Sequence, residues 1–167
     1  MMGGSSSEHD VSIASGEMVI KNIPQQKYEV RSLVLNYKGQ DLWKFEDSLL
    51  TPFEALKKIK QWTDVVFIAL HGIFGEDGTV QALLDFMDIK YTGSGVLASA
   101  LAMDKAKSNE LFLYHGMNVP KFINFSDSDW EENSKLVTDN IKKEIGLPFV
   151  VKPINNGSSH GVVIVDD

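Results

Sequence analysis

A lysine followed by a loop of glycine and small hydroxyl residues lies near the end of this 167-residue chain. Lys152 follows an apolar run, and residues 155–161 read Asn-Asn-Gly-Ser-Ser-His-Gly before a second apolar run. Glycines let the backbone approach a phosphate, amide and serine groups donate to its oxygens, and a lysine adds a compact positive charge. The segment therefore predicts a flexible phosphate-binding loop.

A second lysine, Lys105, follows Asp104 at the predicted boundary between two domains, where a cation can reach into a cleft. Most lysines are simply solvated, so Lys105 alone indicates little. Lys152 lies on a predicted strand, where a solvated charge is less expected. The two lysines together therefore favour a bound anion.

Glu8 lies in a glycine-containing turn that leads into a predicted helix. Amide groups and the helix dipole favour an anion at such a place. A carboxylate there could bind the ammonium group of a substrate, or it could cap the helix, which is the commoner role of an acidic residue in a first turn. The sequence leaves both roles open.

His71 follows the most apolar run of the chain, residues 65–70. Ligands of open α/β sheets bind at the carboxyl ends of strands, so this histidine could orient a carboxylate or move a proton. The alternative is a histidine packed at a strand end, and its position slightly favours the functional role. Glu76 and Asp77 precede a predicted helix and are interpreted as structural, because carboxylates in such turns usually cap.

Three other patterns are weak or absent. Residues 93–98 fit G-x-G-x-x-A, but the preceding strand is short and no acidic residue follows at the required spacing. The Walker pattern G-x-x-x-x-G-K-[ST] does not occur, and the four histidines have no zinc-site spacing. These observations disfavour a dinucleotide site, a P-loop kinase and a zinc enzyme.

Composition excludes several partner classes. Lysine and arginine total 16 against 23 acidic residues, so the net charge of −7 argues against nucleic acid. No signal peptide is visible, and the longest apolar run is too short to cross a bilayer. We therefore expect a cytoplasmic protein that does not contact a membrane. The chain has no cysteine, which excludes disulfides and thiolate metal sites.

The hydrophobic pattern predicts an α/β fold with a doubly wound, mainly parallel sheet in residues 1–104, followed by a small α+β module in residues 105–167. The predicted helices are 11–23, 52–60, 78–87, 96–103, 104–115 and 134–145. The predicted strands are 28–35, 65–70, 90–92, 121–124, 149–153 and 162–165, with a polar linker at 126–133. Residues 39–45 are predicted to form a turn and a short edge strand around Trp43 and Phe45. We expect residues 65–70 to be covered on both faces, and the first strand of the sheet to be missing.

The motifs taken together resemble the D-alanine–D-alanine ligases of the ATP-grasp superfamily. The resemblance rests on residues 3–12, 70–78, 91–95 with 102–105, and 151–153 with 157–159, in the order found in that family. It implies a Rossmann-like substrate-binding domain, called pre-ATP-grasp, followed by part of an ATP-grasp domain. It also implies that ATP phosphorylates one D-alanine and that the amine of a second D-alanine attacks the acyl phosphate.

The resemblance also implies roles for individual residues. Glu8 would hold the ammonium group of the first D-alanine, Val11 would line its pocket, and His71 would lie near its carboxylate. The ATP phosphates would be bound by Lys105, Lys152, Gly157, Ser158 and Ser159. Ser158 would also lie between the loop and Glu8, so the resemblance makes Glu8 and Ser158 the catalytic pair.

The family's adenine-contacting segment, magnesium ligands and reaction-centre arginine have no counterpart here. We therefore expect no metal site in this chain, Mg²⁺ bound by a missing C-terminal part, and no ligation by the 167 residues alone. The full-length family is expected to form homodimers. A D-alanine–D-lactate ligase and a non-catalytic amino-acid-binding remnant are the alternatives, although residues 93–105 look closer to the dipeptide enzymes.

Overall fold

The computed structural model describes the backbone of residues 1–167 and the side chains of residues 1–36 and 38–167. The chain divides into two compact units, Met1–Met103 and Asp104–Asp167. The first unit contains β1 (Met2–Gly3), α1 (His9–Asn22), β2 (Leu33–Leu35), a 3₁₀ turn (Tyr37–Gly39), β3 (Trp43–Phe45), β4 (Ser48–Leu50), α2 (Pro52–Trp62), α3 (Thr79–Phe86) and α4 (Val96–Met103).

The sheet of the first unit is mixed, in the order β1-β2-β3-β4. β1 pairs with β2 in parallel, whereas the pairings of β2 with β3 and of β3 with β4 are antiparallel. The α/β class is confirmed, but two of these three pairings differ from the predicted mainly parallel sheet. β3 and β4 form an antiparallel hairpin, and a hydrophobic period of two residues cannot distinguish such strands from parallel ones.

The prediction of a missing first strand is wrong. Met2 and Gly3 form a short strand beside Val34 and Leu35 of β2. On the other side, the Met1 amine donates to Phe67 O at 2.8 Å, and Ala69 N donates to Met1 O at 2.9 Å. Two residues are enough to form these backbone hydrogen bonds. A strand of two residues is too short to show a hydrophobic period in the sequence, so it was not predicted.

Residues 65–70 are extended but are not assigned as a strand, and they are not buried on both faces as predicted. Val66 forms one parallel bridge with Tyr91, flanked by bonds from Val66 N to Lys90 O and from Thr92 N to Val66 O. Val66 is buried, whereas Val65 and Phe67 are about half exposed. Only one face of the segment is therefore covered within the first unit.

The core of the first unit lies between this sheet and the apolar faces of α2 and α3. Its buried members are Leu33, Leu35, Trp43, Phe45, Ala55, Leu56, Ile59, Val66, Leu70, Val80, Leu84 and Ile89. α2 begins with a capping box in which Thr51 N donates to the Glu54 carboxylate, and Pro52 occupies its first turn. These local signals explain why the predicted helix is confirmed here.

The second unit contains α5 (Lys105–Tyr114), α6 (Asp127–Glu144), β5 (Phe149–Val151) and β6 (Val163–Val165). β5 and β6 form an antiparallel hairpin, so the two predicted strands are confirmed. Residues 121–124 form no strand, which corrects a prediction based on apolar content. The loop between β5 and β6 carries the predicted phosphate-binding residues.

The predicted polar linker 126–133 is wrong, because most of it belongs to α6. Ser126 caps the helix through Asp129 N, and the Asp129 carboxylate accepts from Ser126 N. The helix is interrupted at Asn133, which has φ −159° and ψ 76°, and the Asn133 side chain accepts from Leu136 N. Asn133 thus caps a second helical segment, which begins at Ser134 as predicted.

Leu84 and Phe86 offer a matched test of this core within one helix. Leu84 is fully buried, whereas Phe86 is 80% exposed. We expect Leu84→Ala to lower the free energy of unfolding by roughly 3 kcal/mol, because a buried cavity remains, and Phe86→Ala to change it by less than about 0.5 kcal/mol. Urea denaturation with unchanged slope measures both values, and equal losses would show that α3 is placed wrongly.

Candidate functional site

The Glu8 carboxylate is not used to cap α1. Glu8 is the residue before the helix, and its carbonyl accepts from Ser12 N, but its side chain makes no capping hydrogen bond. The side chain is half-buried. The capping interpretation is therefore wrong, and the structure leaves a partly buried carboxylate without a hydrogen-bond donor among the described residues. Such a group favours a cationic ligand.

Gly72 provides the space for that carboxylate. Its φ is +73°, and a Cβ placed on it would lie 2.8 Å from Glu8 Oε2. A side chain at this position would force the Glu8 carboxylate to shift and would strain the backbone. Gly72 brings Glu8 next to the backbone of His71, so the structure places these two predicted site residues together in the first unit.

The His71 ring lies between a hydroxyl and a carboxylate. Ser15 Oγ is 2.9 Å from His71 Nε2, and Glu76 Oε1 is 4.0 Å from His71 Nδ1. The His71 side chain is 35% exposed. The ring is thus held on one side by α1, while Nδ1 faces the Glu76 carboxylate beyond hydrogen-bond distance.

Three serines connect α1 and its preceding turn to the chain around residues 69–71. Ser12 is fully buried, accepts from Gly3 N at 2.8 Å and donates to Ala69 O at 2.7 Å. Ser6 donates to His71 O at 2.7 Å. Ser15 holds the His71 ring. Sequence reasoning missed these residues, although the i, i+3 spacing of Ser12 and Ser15 in an apolar helix was an available signal.

The loop after His71 is stabilised by its own two carboxylates. Glu76 accepts from Gly72 N at 2.8 Å, and Asp77 accepts from Phe74 N and Thr79 N at 2.8 and 2.9 Å. Burial opposes ionisation of Asp77, but the amide bonds outweigh it and lower the pKa of that carboxyl. These bonds also hold Phe74 at φ 75°, an unusual conformation for a bulky residue. The structural interpretation of Asp77 fits these contacts.

Val11, the predicted pocket residue, lies on α1 with its side chain 55% exposed. No described contact assigns it to a ligand, so its role stays a prediction.

The predicted phosphate-binding loop of the second unit is held by Lys105. Lys105 Nζ donates to Ile154 O at 3.1 Å and also to Asn156 O, while Lys105 N donates to Ile154 O at 3.3 Å. Lys152 follows β5 and is exposed, so the prediction that it lies on a strand is wrong. The structure therefore brings Lys105 and the loop together, as the sequence reasoning required for a shared site.

Two serines in the turn of this loop have a left-handed backbone conformation. Ser158 and Ser159 have φ values of 53° and 58°, and both are exposed. His160 N donates to Gly157 O, and Val162 N donates to Ser159 O. The serine hydroxyls make no hydrogen bond to a described residue, so they are available to an anion. The predicted pairing of Ser158 with Glu8 stays a prediction.

An apolar cavity of about 430 Å³ lies elsewhere in the second unit. It is lined by Phe125, Trp130, Thr138, Ile141, Lys142, Phe149, Val151, Val165 and Asp167. No predicted site residue lines it. Among the described side chains, no three His, Asp or Glu residues are arranged to hold a metal ion. No helix in the described part of the chain is long and apolar enough to span a membrane.

Two family models match the chain. The model of the D-ala D-ala ligase N-terminus matches residues 1–94, and that of the D-ala D-ala ligase C-terminus matches residues 111–167. The chain belongs to the D-alanine–D-alanine ligase family. The first match covers the Glu8 and His71 region, and the second covers the loop that follows Lys152.

Individual relatives agree with this assignment. D-alanine–D-alanine ligase B of Clostridium perfringens is 41% identical over 159 residues, which cover 95% of this chain and 46% of that protein. The crystal structure of the Bacillus anthracis D-alanine–D-alanine ligase is 38% identical with a TM-score of 0.77, covering 99% of this chain and 48% of that one. A structure of the Bacillus anthracis ligase complexed with ATP is 33% identical with a TM-score of 0.65, at coverages of 99% and 48%. The chain thus spans about half the length of these relatives.

The Lys105 contacts generate a prediction for the loop. Replacing Lys105 with Met removes the ammonium group that donates to Ile154 O and Asn156 O, so the loop amides of residues 155–161 should exchange with solvent roughly tenfold faster. Lys107→Met is the matched control, because Lys107 Nζ bonds to Glu110 at 2.8 Å within the same helix. Hydrogen exchange followed by mass spectrometry measures both. Equal loop exchange in the two variants would contradict the role of Lys105.

Proposed function

We propose that this chain supplies the first-substrate site and the phosphate-binding loop of an ATP-dependent D-alanine–D-alanine ligase. The observation that carries the proposal is the Glu8 carboxylate, which is half-buried, spends no hydrogen bond on its helix and lies against Gly72 beside His71. The family membership supports it, as does the lysine-held loop between β5 and β6.

In this proposal the first D-alanine is held by its two charged ends. Its ammonium group pairs with Glu8, its carboxylate lies near His71, and Val11 lines the pocket for its methyl group. A partly buried ion pair of this kind fixes the orientation of the substrate more strongly than an exposed pair would. The bound carboxylate can then be presented to the phosphate donor.

The loop and its lysines hold the ATP phosphates in this proposal. Lys105 and Lys152 supply positive charge, and Gly157, Ser158 and Ser159 donate to phosphate oxygens. Lys105 Nζ donates to the carbonyls of Ile154 and Asn156, and a phosphate would replace those acceptors. Ser158 helps to order the loop in this proposal, and closure of the loop excludes water that would hydrolyse the intermediate.

The chemistry proceeds in two steps. A carboxylate oxygen of the first D-alanine attacks the γ-phosphorus of ATP, and ADP leaves. The amine of the second D-alanine then attacks the acyl carbon, phosphate leaves, and a proton is lost from the new amide nitrogen. The chain positions the reactants and stabilises charge in both steps. The family resemblance adds Mg²⁺ for the ATP, but the described residues provide no fitting site, so no step here depends on the ion.

Further parts of the proposal rest on the family. The product would serve peptidoglycan precursor synthesis in the cytoplasm, the second substrate would be D-alanine, and the full-length protein would form homodimers. We also propose that residues 65–70 and 90–92 extend β1 and β2 into the parallel part of a doubly wound, Rossmann-like sheet. The ladder of bonds from Met1 to Phe67 and Ala69, and the bridge between Val66 and Tyr91, support that arrangement.

A chimera tests the proposed function. Residues 1–167 would be joined to the unmatched second half of the Clostridium perfringens ligase B, and phosphate release that depends on D-alanine would be measured. In this chimera, Glu8→Gln should lower kcat/KM for the first D-alanine about 100-fold, because the amide keeps the shape but loses the charge.

Glu17→Gln is the matched control, since Glu17 is exposed on the same helix, and it should change kcat/KM by less than about twofold. A chimera that folds but shows no turnover with D-alanine would overturn the proposed function. Equal effects of the two substitutions would overturn the assignment of Glu8.

A further inference from the structure

Both nitrogens of His71 face groups that constrain where its proton lies. A neutral imidazole carries one N–H, and the partner of each nitrogen decides which one. Glu76 Oε1 lies 4.0 Å from Nδ1, so a lone pair on Nδ1 would face a carboxylate and be repelled. Ser15 Oγ lies 2.9 Å from Nε2 and can donate its hydroxyl hydrogen to a lone pair there. The two contacts agree on a proton at Nδ1.

Glu76 and Ser15 are themselves held in place. Glu76 uses its other carboxylate oxygen, Oε2, to accept from Gly72 N at 2.8 Å. Ser15 lies one helical turn after Ser12, whose buried hydroxyl anchors α1 to Ala69 O. The His71 ring therefore lies between Glu76, which is held within the loop after His71, and Ser15, which is held on α1.

We propose that Ser15 and Glu76 are positioning residues that hold His71 as its Nδ1–H tautomer. The consequence of this tautomer rests on the proposed function. The Nδ1–H group is available to donate to the carboxylate of the amino acid whose ammonium group Glu8 binds. The gap of 4.0 Å to Glu76 is too long for a direct hydrogen bond, so this N–H keeps its capacity to donate. Ser15 was not a candidate in the sequence, and Glu76 was interpreted as structural.

The tautomer can be read directly by long-range ¹H–¹⁵N NMR of the histidine rings in the 167-residue chain. At about pH 8, where an ordinary imidazole is neutral, the wild-type His71 should show a protonated Nδ1 and an unprotonated Nε2. Ser15→Ala should shift the population towards the Nε2–H form, and Ser15→Thr, which keeps the hydroxyl, should retain the Nδ1–H form. Glu76→Gln keeps an acceptor for Gly72 N but removes the charge, so it should also reduce the Nδ1–H population.

His9 provides an internal control for folding. Its Nδ1 lies 2.6 Å from Gly4 O, and a carbonyl can only accept, so His9 must carry its proton on Nδ1. That signature should be the same in all variants. A wild-type His71 protonated on Nε2 would overturn the proposal. So would an unchanged His71 tautomer in Ser15→Ala with the His9 signature intact.

A D-alanine titration of the same samples separates this proposal from the proposed function. If wild type binds D-alanine, Ser15→Ala should weaken the affinity about tenfold, and Ser15→Thr should restore it. Unchanged affinity together with a switched tautomer would overturn the positioning role. If wild type binds no D-alanine, the proposed function fails, while the ring spectra still decide whether Ser15 and Glu76 set the tautomer.

Discussion

The hydroxyl of Ser12 joins three segments that the first unit must bring together. It accepts from Gly3 N and donates to Ala69 O, and it is completely shielded from water. A buried hydroxyl with both bonds made is stable, whereas either partner left alone would carry a desolvation cost. These two hydrogen bonds fix the position of α1 relative to residues 69–71. In this position of α1, Glu8 lies beside Gly72 and Ser15 lies beside the His71 ring.

The proposed function depends on the polar groups that make no hydrogen bond in this arrangement. Asp77 accepts from loop amides with both carboxylate oxygens, and Glu76 accepts from one with Oε2. Ser6 and Ser12 donate to backbone carbonyls, and Ser15 contacts the His71 ring. The Glu8 carboxylate makes no such bond, although it is half-buried. The second unit contains hydrogen-bond donors that could serve an anion. Lys105 holds the β5–β6 loop, and the hydroxyls of Ser158 and Ser159 make no hydrogen bond to a described residue. In the proposed function, the first unit provides a carboxylate for the ammonium group, and the second provides hydrogen-bond donors for the phosphates.

The sequence predicted elements with local signals better than it predicted strand pairing. The helices with strong signals, such as α2 with its capping box, and the β5–β6 hairpin were predicted because their signals are local. The two-residue β1 and the antiparallel β3–β4 pairing were not, because strand pairing depends on partners far along the chain. The role of Glu8 could not be decided from the sequence either, since only the structure shows that no helix amide uses its carboxylate. Ser15 was missed as a partner of His71 because it lies 56 residues away in the sequence. Glu76 was missed because its place in a turn before a helix indicated a capping role.

The central claim is that the free carboxylate of Glu8 is a binding group for an amino acid. The most direct measurement is a crystal structure of the 167-residue chain soaked with D-alanine at saturating concentration. The account predicts the D-alanine nitrogen within hydrogen-bond distance, about 3 Å, of the Glu8 carboxylate, with the D-alanine carboxylate towards His71 Nδ1. D-alanine bound elsewhere, or no bound D-alanine in a crystal where Glu8 and His71 are open to solvent, would contradict it.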